Sequence, residues 1–267
     1  MNVVTFTSLK GGVGKSSLSI LTANMLGKAG KRVLVIDMDL NNSSSFYYLN
    51  SDQFDQSKEK NIAAALFGGA ETNLNDYIQL TDRWGVDIIS SSLDLINLRS
   101  ISERKLSQLM PTIEKDYDVV IIDTQPTYDN LVLNAYNASD IILTPVNPSQ
   151  FDFNTAQFLE NKLKLDTDKY TSWFLTFNGF DHRWEGAKSG IQQDYVSLFT
   201  DTFENFTPTE AWYPWTTAIR KYIDRGLFLS DKIKNSEHLQ NFQLFNAVYE
   251  LASCFVDDNP LIRPKDC

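Results

Sequence analysis

The sequence has little cysteine, little proline and no long apolar run, and each shortage excludes a class of protein. Cys254 and Cys267 are its two cysteines in 267 residues, which is no disulfide framework and fits a reducing cytosol. No apolar run approaches the ~20 residues that a membrane-spanning helix needs, and the N-terminus lacks the basic and long apolar segments of a signal peptide. The 12 glycines and 8 prolines are too few for a collagen-like or low-complexity chain. We therefore expect a cytoplasmic globular protein without a membrane partner.

Positive charge is also in short supply. The chain has 24 Lys and Arg against 34 Asp and Glu, a net charge of −10, so any contact with nucleic acid must rest on a local basic patch. With 42% hydrophobic residues, the length suits one large α/β domain that buries a full core. We expect this single domain to span residues 1–267, with an irregular tail at 257–267.

Short apolar runs alternate with helical patterns along the chain. The run at 32–37 is mostly apolar and ends in a carboxylate, as suits a parallel strand that is buried on both faces. Similar runs lie at 3–7, 86–90, 119–123, 141–145 and 173–177, and helical spacing recurs at 101–113, 155–165 and 236–256. The polar segments 41–60 and 180–190 are predicted loops, the first with room for a short helix. Repeated strand–helix units predict an α/β fold, a doubly wound, mostly parallel sheet flanked by helices.

A glycine-rich segment follows the first predicted strand and opens the first predicted helix. It reads Lys10-Gly11-Gly12-Val13-Gly14-Lys15-Ser16-Ser17. Glycines allow successive backbone N–H groups to turn inward around an anion, and the helix N-terminus adds its positive dipole end. Lys15 at this spacing would reach the β- and γ-phosphates of a nucleotide, and the Ser16 hydroxyl would ligate Mg²⁺. The segment therefore predicts a nucleotide phosphate site.

This segment resembles the deviant Walker A box of the ParA/MinD family of P-loop ATPases, most of all the ParA (Soj-like) DNA-partitioning branch. The resemblance implies ATP and Mg²⁺ as cofactors and a homodimer that sandwiches two nucleotides. It implies that the extra lysine, Lys10, reaches across to the partner's phosphates and takes part in catalysis with Lys15. The whole segment from Lys10 to Ser17 is then expected to contact the nucleotide.

Two strand ends supply the carboxylates that the resemblance requires. The second strand ends in Asp37-Met38-Asp39, where the family's second Asp positions or activates the attacking water and the first helps to hold the magnesium shell. Asp123 ends another apolar strand and matches the family's Asp-x-x-Pro box, so Ser16, Asp37 and Asp123 are the expected metal residues. The alternative for Asp39 is a turn former or helix cap. A carboxylate at a strand's C-terminal end faces the crevice where open α/β sheets bind ligands.

One segment departs from the family pattern. Leu40-Asn41-Asn42-Ser43 stands where the family usually has Pro-Gln-Gly-Asn. We therefore expect hydrolysis to be slow or to depend on a partner protein. For the adenine base, the resemblance implies contacts by Asn178 and Pro214, although Trp215 replaces an arginine that is common there; Trp212 and Trp215 could instead pack under a loop.

Basic residues in the C-terminal half are candidates for DNA binding. Between residues 216 and 234 there are five Lys or Arg against two Asp, and non-specific DNA binding depends on such side chains through counterion release. The expected nucleic-acid residues are Arg183, Lys188, Arg220, Lys221 and Arg225; the alternative is a solvated helix face with salt bridges. The last predicted helix lacks the Lys and Arg that anionic lipid requires.

The combined pattern favours a ParA-like ATPase that positions DNA or another cargo, stimulated by a ParB-like or other activating partner and associated with the nucleoid if it binds DNA. Two alternatives stay open. One is a metabolic P-loop enzyme of the same superfamily, although the iron-protein branch is excluded because it needs cluster cysteines in mid-chain. The other is a weakly hydrolysing, nucleotide-dependent regulator.

Overall fold

The computed structural model describes residues 1–56, 58–113, 116–180, 190–214, 216, 218–229 and 236–256. Seven strands form one sheet in the order β3-β2-β4-β1-β5-β6-β7, and every neighbouring pair is parallel. The strands are β1 Asn2–Phe6, β2 Val33–Met38, β3 Val86–Ile89, β4 Val119–Thr124, β5 Ile141–Val146, β6 Trp173–Phe180 and β7 Tyr213–Pro214. The predicted fold class, a doubly wound parallel sheet flanked by helices, is confirmed.

The described helices connect these strands and cover both faces of the sheet. They are α1 Lys15–Lys28, α2 Ser43–Tyr48, α3 Ser51–Gln56, α4 Ile62–Phe67, α5 Lys105–Leu109, α6 Asn130–Ala138, α7 Gln150–Asp166, α8 Gly190–Thr202, α9 Ala218–Asp224 and α10 Ser236–Ser253. Among the described residues, no helix is both long enough and apolar enough to cross a bilayer.

Alternate residues of the central strands enter different cores. Val4 of β1 and Val35 of β2 pack with α1 and α10 on one face, whereas Val3 and Leu34 pack with α4, α5 and α6 on the other. A third cluster lies between β5, β6, α7 and α8. Side chains of successive strand residues point to opposite faces, so a sheet covered by helices on both sides needs apolar residues at every position. This explains why the strand sequences are continuous apolar runs.

Three sequence-based boundaries differ from the structure. The helix predicted at 101–113 is α5 followed by a 3₁₀ turn at Met110–Thr112, because Pro111 has no N–H to continue the α-helical ladder. Helix α7 begins five residues earlier than predicted, at a cap where Ser149 accepts the N–H of Asp152. The predicted 41–60 loop contains α2 and α3. The 180–190 loop, apart from its two ends, and the 257–267 tail lie outside the described residues.

Candidate functional site

The glycine-rich segment forms a loop between the end of β1 and the first turn of α1. Gly12 and Gly14 have φ of 77° and 94°, in the left-handed region that glycine adopts without strain. A Cβ added to Gly14 would lie 2.5 Å from Asn178 Nδ2 and 2.8 Å from Leu18 Cδ1. No side chain caps α1, and its first turn contains no acidic residue. The uncapped N–H groups at this end therefore suit an anion.

A cavity of about 630 Å³ opens in front of this loop, within the usual size range of nucleotide and ligand sites. Its lining combines the loop, the ends of several strands and the start of α9, and consists of Gly11, Gly12, Gly14, Lys15, Ser16, Ser17, Leu18, Asp39, Asn41, Ser43, Pro126, Asn147, Asn178, Gly179, Pro214, Thr216, Ile219 and Arg220. The structure thus brings most of the predicted nucleotide residues, including Asn178 and Pro214, into one cavity. Sequence reasoning missed eight of these lining residues as site residues: Leu18, Asn41, Ser43, Pro126, Asn147, Gly179, Thr216 and Ile219.

Lys15 and Val13 of the glycine-rich segment contribute to the site in different ways. Lys15 is buried, and burial lowers its pKa from the ordinary value, while the nearby Asp123 and Asp39 carboxylates partly offset the shift. An anionic phosphate would supply the counter-charge that favours the ammonium form. Val13 is buried beneath the loop, and its carbonyl accepts a 2.7 Å hydrogen bond from Asn178 Nδ2. Asn178 therefore also braces the loop from the β6 side.

Asp123 has the features of a magnesium residue. It is fully buried, its Oδ2 accepts a 2.8 Å hydrogen bond from Ser44 Oγ, and its Oδ1 has no hydrogen-bond partner among the residues that the structure describes. Burial raises its pKa, and the Ser16 and Ser44 hydroxyls and Lys15 act in the opposite direction. A buried carboxylate oxygen without a partner is costly unless a ligand completes it. Ser16 lines the cavity close by, so this pair fits Mg²⁺ and its bound waters.

The described part of the chain contains no group of three His, Cys, Asp or Glu side chains that could hold a metal ion. This agrees with the chemistry of Mg²⁺ in nucleotide sites, where waters and substrate phosphates complete the octahedron around one or two protein ligands. Ser16 and Asp123 would be such protein ligands, and their role stays a prediction.

Asp37 lies beside Asp123 in the register of β2 and β4 and is also fully buried. Its Oδ2 accepts the backbone N–H (2.8 Å) and Oγ (2.7 Å) of Ser45, and its Oδ1 accepts the N–H of Asp39 (3.1 Å). Burial and the neighbouring Asp123 raise its pKa, while these hydrogen bonds lower it. Asp37 therefore holds the loop after β2, and its share in the magnesium shell stays a prediction.

Comparison with known proteins agrees with this geometry. A family model described as "AAA domain" matches residues 1–172, which is more than half of the chain. The chain belongs to the ParA/MinD family of P-loop ATPases. Maintenance of carboxysome distribution protein A of Synechococcus elongatus is 26% identical over 245 residues, covering 86% of this chain and 92% of that protein. This relative therefore matches the chain over most of its length.

Solved structures share the fold. A putative plasmid partition protein from Borrelia burgdorferi, bound to AMPPNP, matches with a TM-score of 0.70 and 22% identity, covering 95% of this chain and 99% of that one. Cobyrinic acid a,c-diamide synthase from Mycobacterium smegmatis, with bound ADP and magnesium, matches with a TM-score of 0.66 and 21% identity over 84% and 93% of the two chains. At these identities the likeness concerns the fold alone.

The family's extra lysine is folded back in this structure. Lys10 Nζ lies 2.5 Å from Asp152 Oδ2, and the two side chains are 38% and 2% exposed. Asp152 also accepts hydrogen bonds from Ser149 Oγ (2.6 Å) and the N–H of Asn147 (3.2 Å), so its carboxylate is fixed at the start of α7. The reach of Lys10 into a partner subunit therefore stays a prediction, and it requires that this ion pair opens.

The segment that departs from the family pattern keeps a glycine-like backbone. Asn42 stands at the family's glycine position and has φ of 55°, and asparagine tolerates this left-handed conformation better than other side chains. Asp39 is buried and lines the cavity, and its role at the attacking water stays a prediction. Asn42 supplies, two residues before Ser44, the left-handed backbone that glycine adopts readily.

The described candidate DNA residues, Arg220, Lys221 and Arg225, are all exposed on α9 or just beyond it. Arg220 also lines the cavity. Arg183 and Lys188 lie outside the described residues, so their DNA role stays a prediction.

The aromatic alternative holds for one of the two tryptophans. Trp212 is nearly buried and makes an edge-on contact with Phe177, with ring centroids 4.7 Å apart. Trp215 lies outside the described residues. Trp212 therefore packs in the core beside β7 rather than facing a base.

Proposed function

We propose that this chain is a ParA-like ATPase that binds Mg-ATP, pairs with a second copy around two nucleotides, and positions DNA or another cargo. Its family membership supports this proposal, and so does its similarity to a carboxysome distribution protein. A partner of the ParB kind would stimulate hydrolysis and release the dimer. The working location would be the cytoplasm, on the nucleoid where DNA serves as the matrix.

The observation that carries the proposal is the composition of the 630 Å³ cavity. Its loop end combines an uncapped helix N-terminus with the buried Lys15, and Asp39 and Asp123 stand near that lysine. Phosphoryl transfer requires positioning and charge neutralisation rather than covalent chemistry by the protein. These residues supply both.

The chemistry is hydrolysis of the terminal phosphoanhydride. Asp39 would orient a water molecule, whose oxygen forms the new bond to the γ-phosphorus while the bond to the β,γ-bridging oxygen breaks, giving ADP and phosphate. Lys15 would neutralise charge on the β- and γ-phosphates. Mg²⁺, when bound through Ser16 and Asp123, neutralises the remaining phosphate charge.

Two measurements test the proposal. Light scattering of the Asp39→Ala variant with ATP and Mg²⁺ is expected to show a dimer, and with ADP a monomer. A DNA mobility shift across salt concentrations is expected to show binding with ATP alone, weakened by salt. A monomer under all nucleotide conditions would overturn the sandwich dimer, and nucleotide-independent or absent DNA binding would remove DNA as the matrix.

A weakly hydrolysing nucleotide-dependent regulator is the alternative that one observation favours. The segment after Asp39 hydrogen-bonds all three site carboxylates, and such bonds would have to change before the site turns over quickly. Steady-state ATPase rates with and without DNA separate the two functions, because a partition ATPase is expected to accelerate in the presence of its matrix or partner. A substrate-dependent phosphate-release screen tests the metabolic-enzyme alternative.

A further inference from the structure

Five residues after β2 act on the whole carboxylate cluster. We call residues 41–45, Asn-Asn-Ser-Ser-Ser, the serine–asparagine turn. Asn41 donates to Asp39, Ser44 donates to Asp123, and Ser45 donates to Asp37. The serine–asparagine turn therefore donates a hydrogen bond to each of the three carboxylates, of which Asp39 lines the cavity.

Asn41 holds Asp39 through two donors. Its backbone N–H and its side-chain Nδ2 lie 2.9 and 3.0 Å from the same atom, Asp39 Oδ1. Among the described residues, Asp39 Oδ2 accepts no hydrogen bond, and both side chains line the cavity. The terminal torsion of an aspartate is broad and roughly two-fold, so a free Asp39 could exchange its two oxygens. The pair of donors fixes one oxygen and leaves the other for the cavity.

Buried hydrogen bonds to Asp37 and Ser91 hold the turn that contains Asn41. Ser45 Oγ donates to Asp37 and accepts the N–H of Ser91 at 2.9 Å, directly after the end of β3. Ser91 Oγ in turn donates to the carbonyl of Asp39 at 2.8 Å. Since these groups are buried, their bonds are shielded from competing water. These buried hydrogen bonds therefore fix the backbone of the turn that positions Asn41 next to Asp39.

We propose that Asn41 is a positioning residue for Asp39, whose amide fixes one carboxylate oxygen so that the other meets the attacking water. This inference rests on the proposed function, because it assigns Asn41 a part in ATP hydrolysis. Asn41 does not touch the reacting atoms. It acts on the rate of the chemical step, and nucleotide affinity depends on the loop between β1 and α1.

The test is single-turnover hydrolysis of ATP by excess protein, together with the affinity for a non-hydrolysable ATP analogue. Asn41→Ala is expected to slow the single-turnover rate by about ten- to hundredfold, the usual cost of a misplaced catalytic group. Its analogue affinity is expected to stay within about twofold, because an interaction made for the transition state alone leaves ground-state binding unchanged.

Two further variants separate positioning from a structural role. Asn41→Gln keeps the amide donor and should recover part of the rate. Asn41→Asp places a second carboxylate next to Asp39 Oδ1, so its single-turnover rate should be lower than that of Asn41→Ala. The matched control is Asn137→Ala, which removes another asparagine side-chain donor, 3.0 Å from the carbonyl of Glu103 and away from the cavity; its rate should equal that of the unmodified chain.

Specific outcomes overturn the inference. An Asn41→Ala rate equal to that of the unmodified chain would do so, as would an Asn41→Asp rate above that of Asn41→Ala. A loss of analogue affinity in the same ratio as the rate would show that Asn41 shapes the site as a whole. Failure of the unmodified chain to bind the analogue would refute the proposed function itself, which distinguishes the two failures.

Discussion

Asp152→Asn should make this chain dimerise more readily with ATP. In the structure, Asp152 holds Lys10 by an ion pair whose lysine is 38% exposed, so solvent screening keeps its net worth at about 1 kcal/mol. Asparagine keeps the size of the side chain and one acceptor oxygen, which can accept from Ser149 Oγ in place of accepting from both Ser149 and the Asn147 N–H, and it removes the charge. Releasing about 1 kcal/mol raises the population of extended Lys10 about fivefold in each subunit, and about 30-fold for a dimer that needs both lysines.

The assay is the dissociation constant of the dimer in ATP and Mg²⁺, measured by sedimentation in an Asp39→Ala background that blocks turnover. The matched control is Glu160→Gln, which breaks the 3.0 Å ion pair with Lys164 on the same helix and should leave the constant unchanged. Lys10→Ala should abolish the dimer. If Asp152→Asn dimerises as weakly as the unmodified chain or more weakly, the folded-back lysine does not oppose assembly and this reasoning is wrong.

Three further predictions concern the cavity. Burial raises the pKa of Asp123 to about 6, so its ionisation lowers the stability of the ligand-free chain by roughly 3 kcal/mol. This loss of stability is absent below about pH 4 and complete above pH 6. In a pH series of thermal unfolding, Asp123→Asn should therefore raise the melting temperature at pH 8 and not at pH 4. Gly14→Ala should weaken nucleotide binding by more than about tenfold, because a residue with a Cβ is strained at its φ of 94°. Gly11→Ala has open space around the added Cβ, so it should weaken nucleotide binding far less. Fluorescent-nucleotide titration measures both affinities. Arg220→Ala should weaken ATP affinity in the same titration and Lys221→Ala should not, and equal affinities would remove Arg220 from the nucleotide site.

Much of the fold can be predicted from the sequence because one physical rule dominates it. A parallel strand covered on both faces must be apolar throughout, and the runs at 32–37 and 119–123 satisfy this rule and coincide with β2 and β4. Boundaries set by a single local feature were less accurate. The break at Pro111 and the start of α7 at the Ser149 cap depend on individual backbone hydrogen bonds. The spacing of apolar residues in the sequence does not predict such bonds.

Some residues of the candidate site could likewise be predicted from the sequence, and others could not. Lys15 and Ser16 could be predicted because they open the helix that follows the first strand and its glycine-rich loop. Asp123 could be predicted because it lies near the C-terminal end of another strand, and the ends of parallel strands meet at one edge of the sheet. Asn41 could not, because a run of asparagine and serine is typical of any surface turn. Its role depends on contacts between β2, β3 and β4, which join residues more than 40 positions apart, such as Ser91 with Asp39 and Ser45.

Arg220 lies at the cavity as well as among the candidate DNA residues, which affects how a DNA contact can be tested. It stands next to Lys221 in the chain, and the local excess of positive charge grouped both as DNA residues. On a helix, however, consecutive residues point about 100° apart, and Ile219, Tyr222 and Ile223 of α9 pack against the core. Arg220 and Lys221 are both exposed, and Arg220 also lines the cavity. A loss of DNA binding on charge reversal at Arg220 would therefore be ambiguous, since a dimer that needs ATP would fail for want of nucleotide. The exposed Lys221 is the position at which a DNA contact can be tested without disturbing the nucleotide.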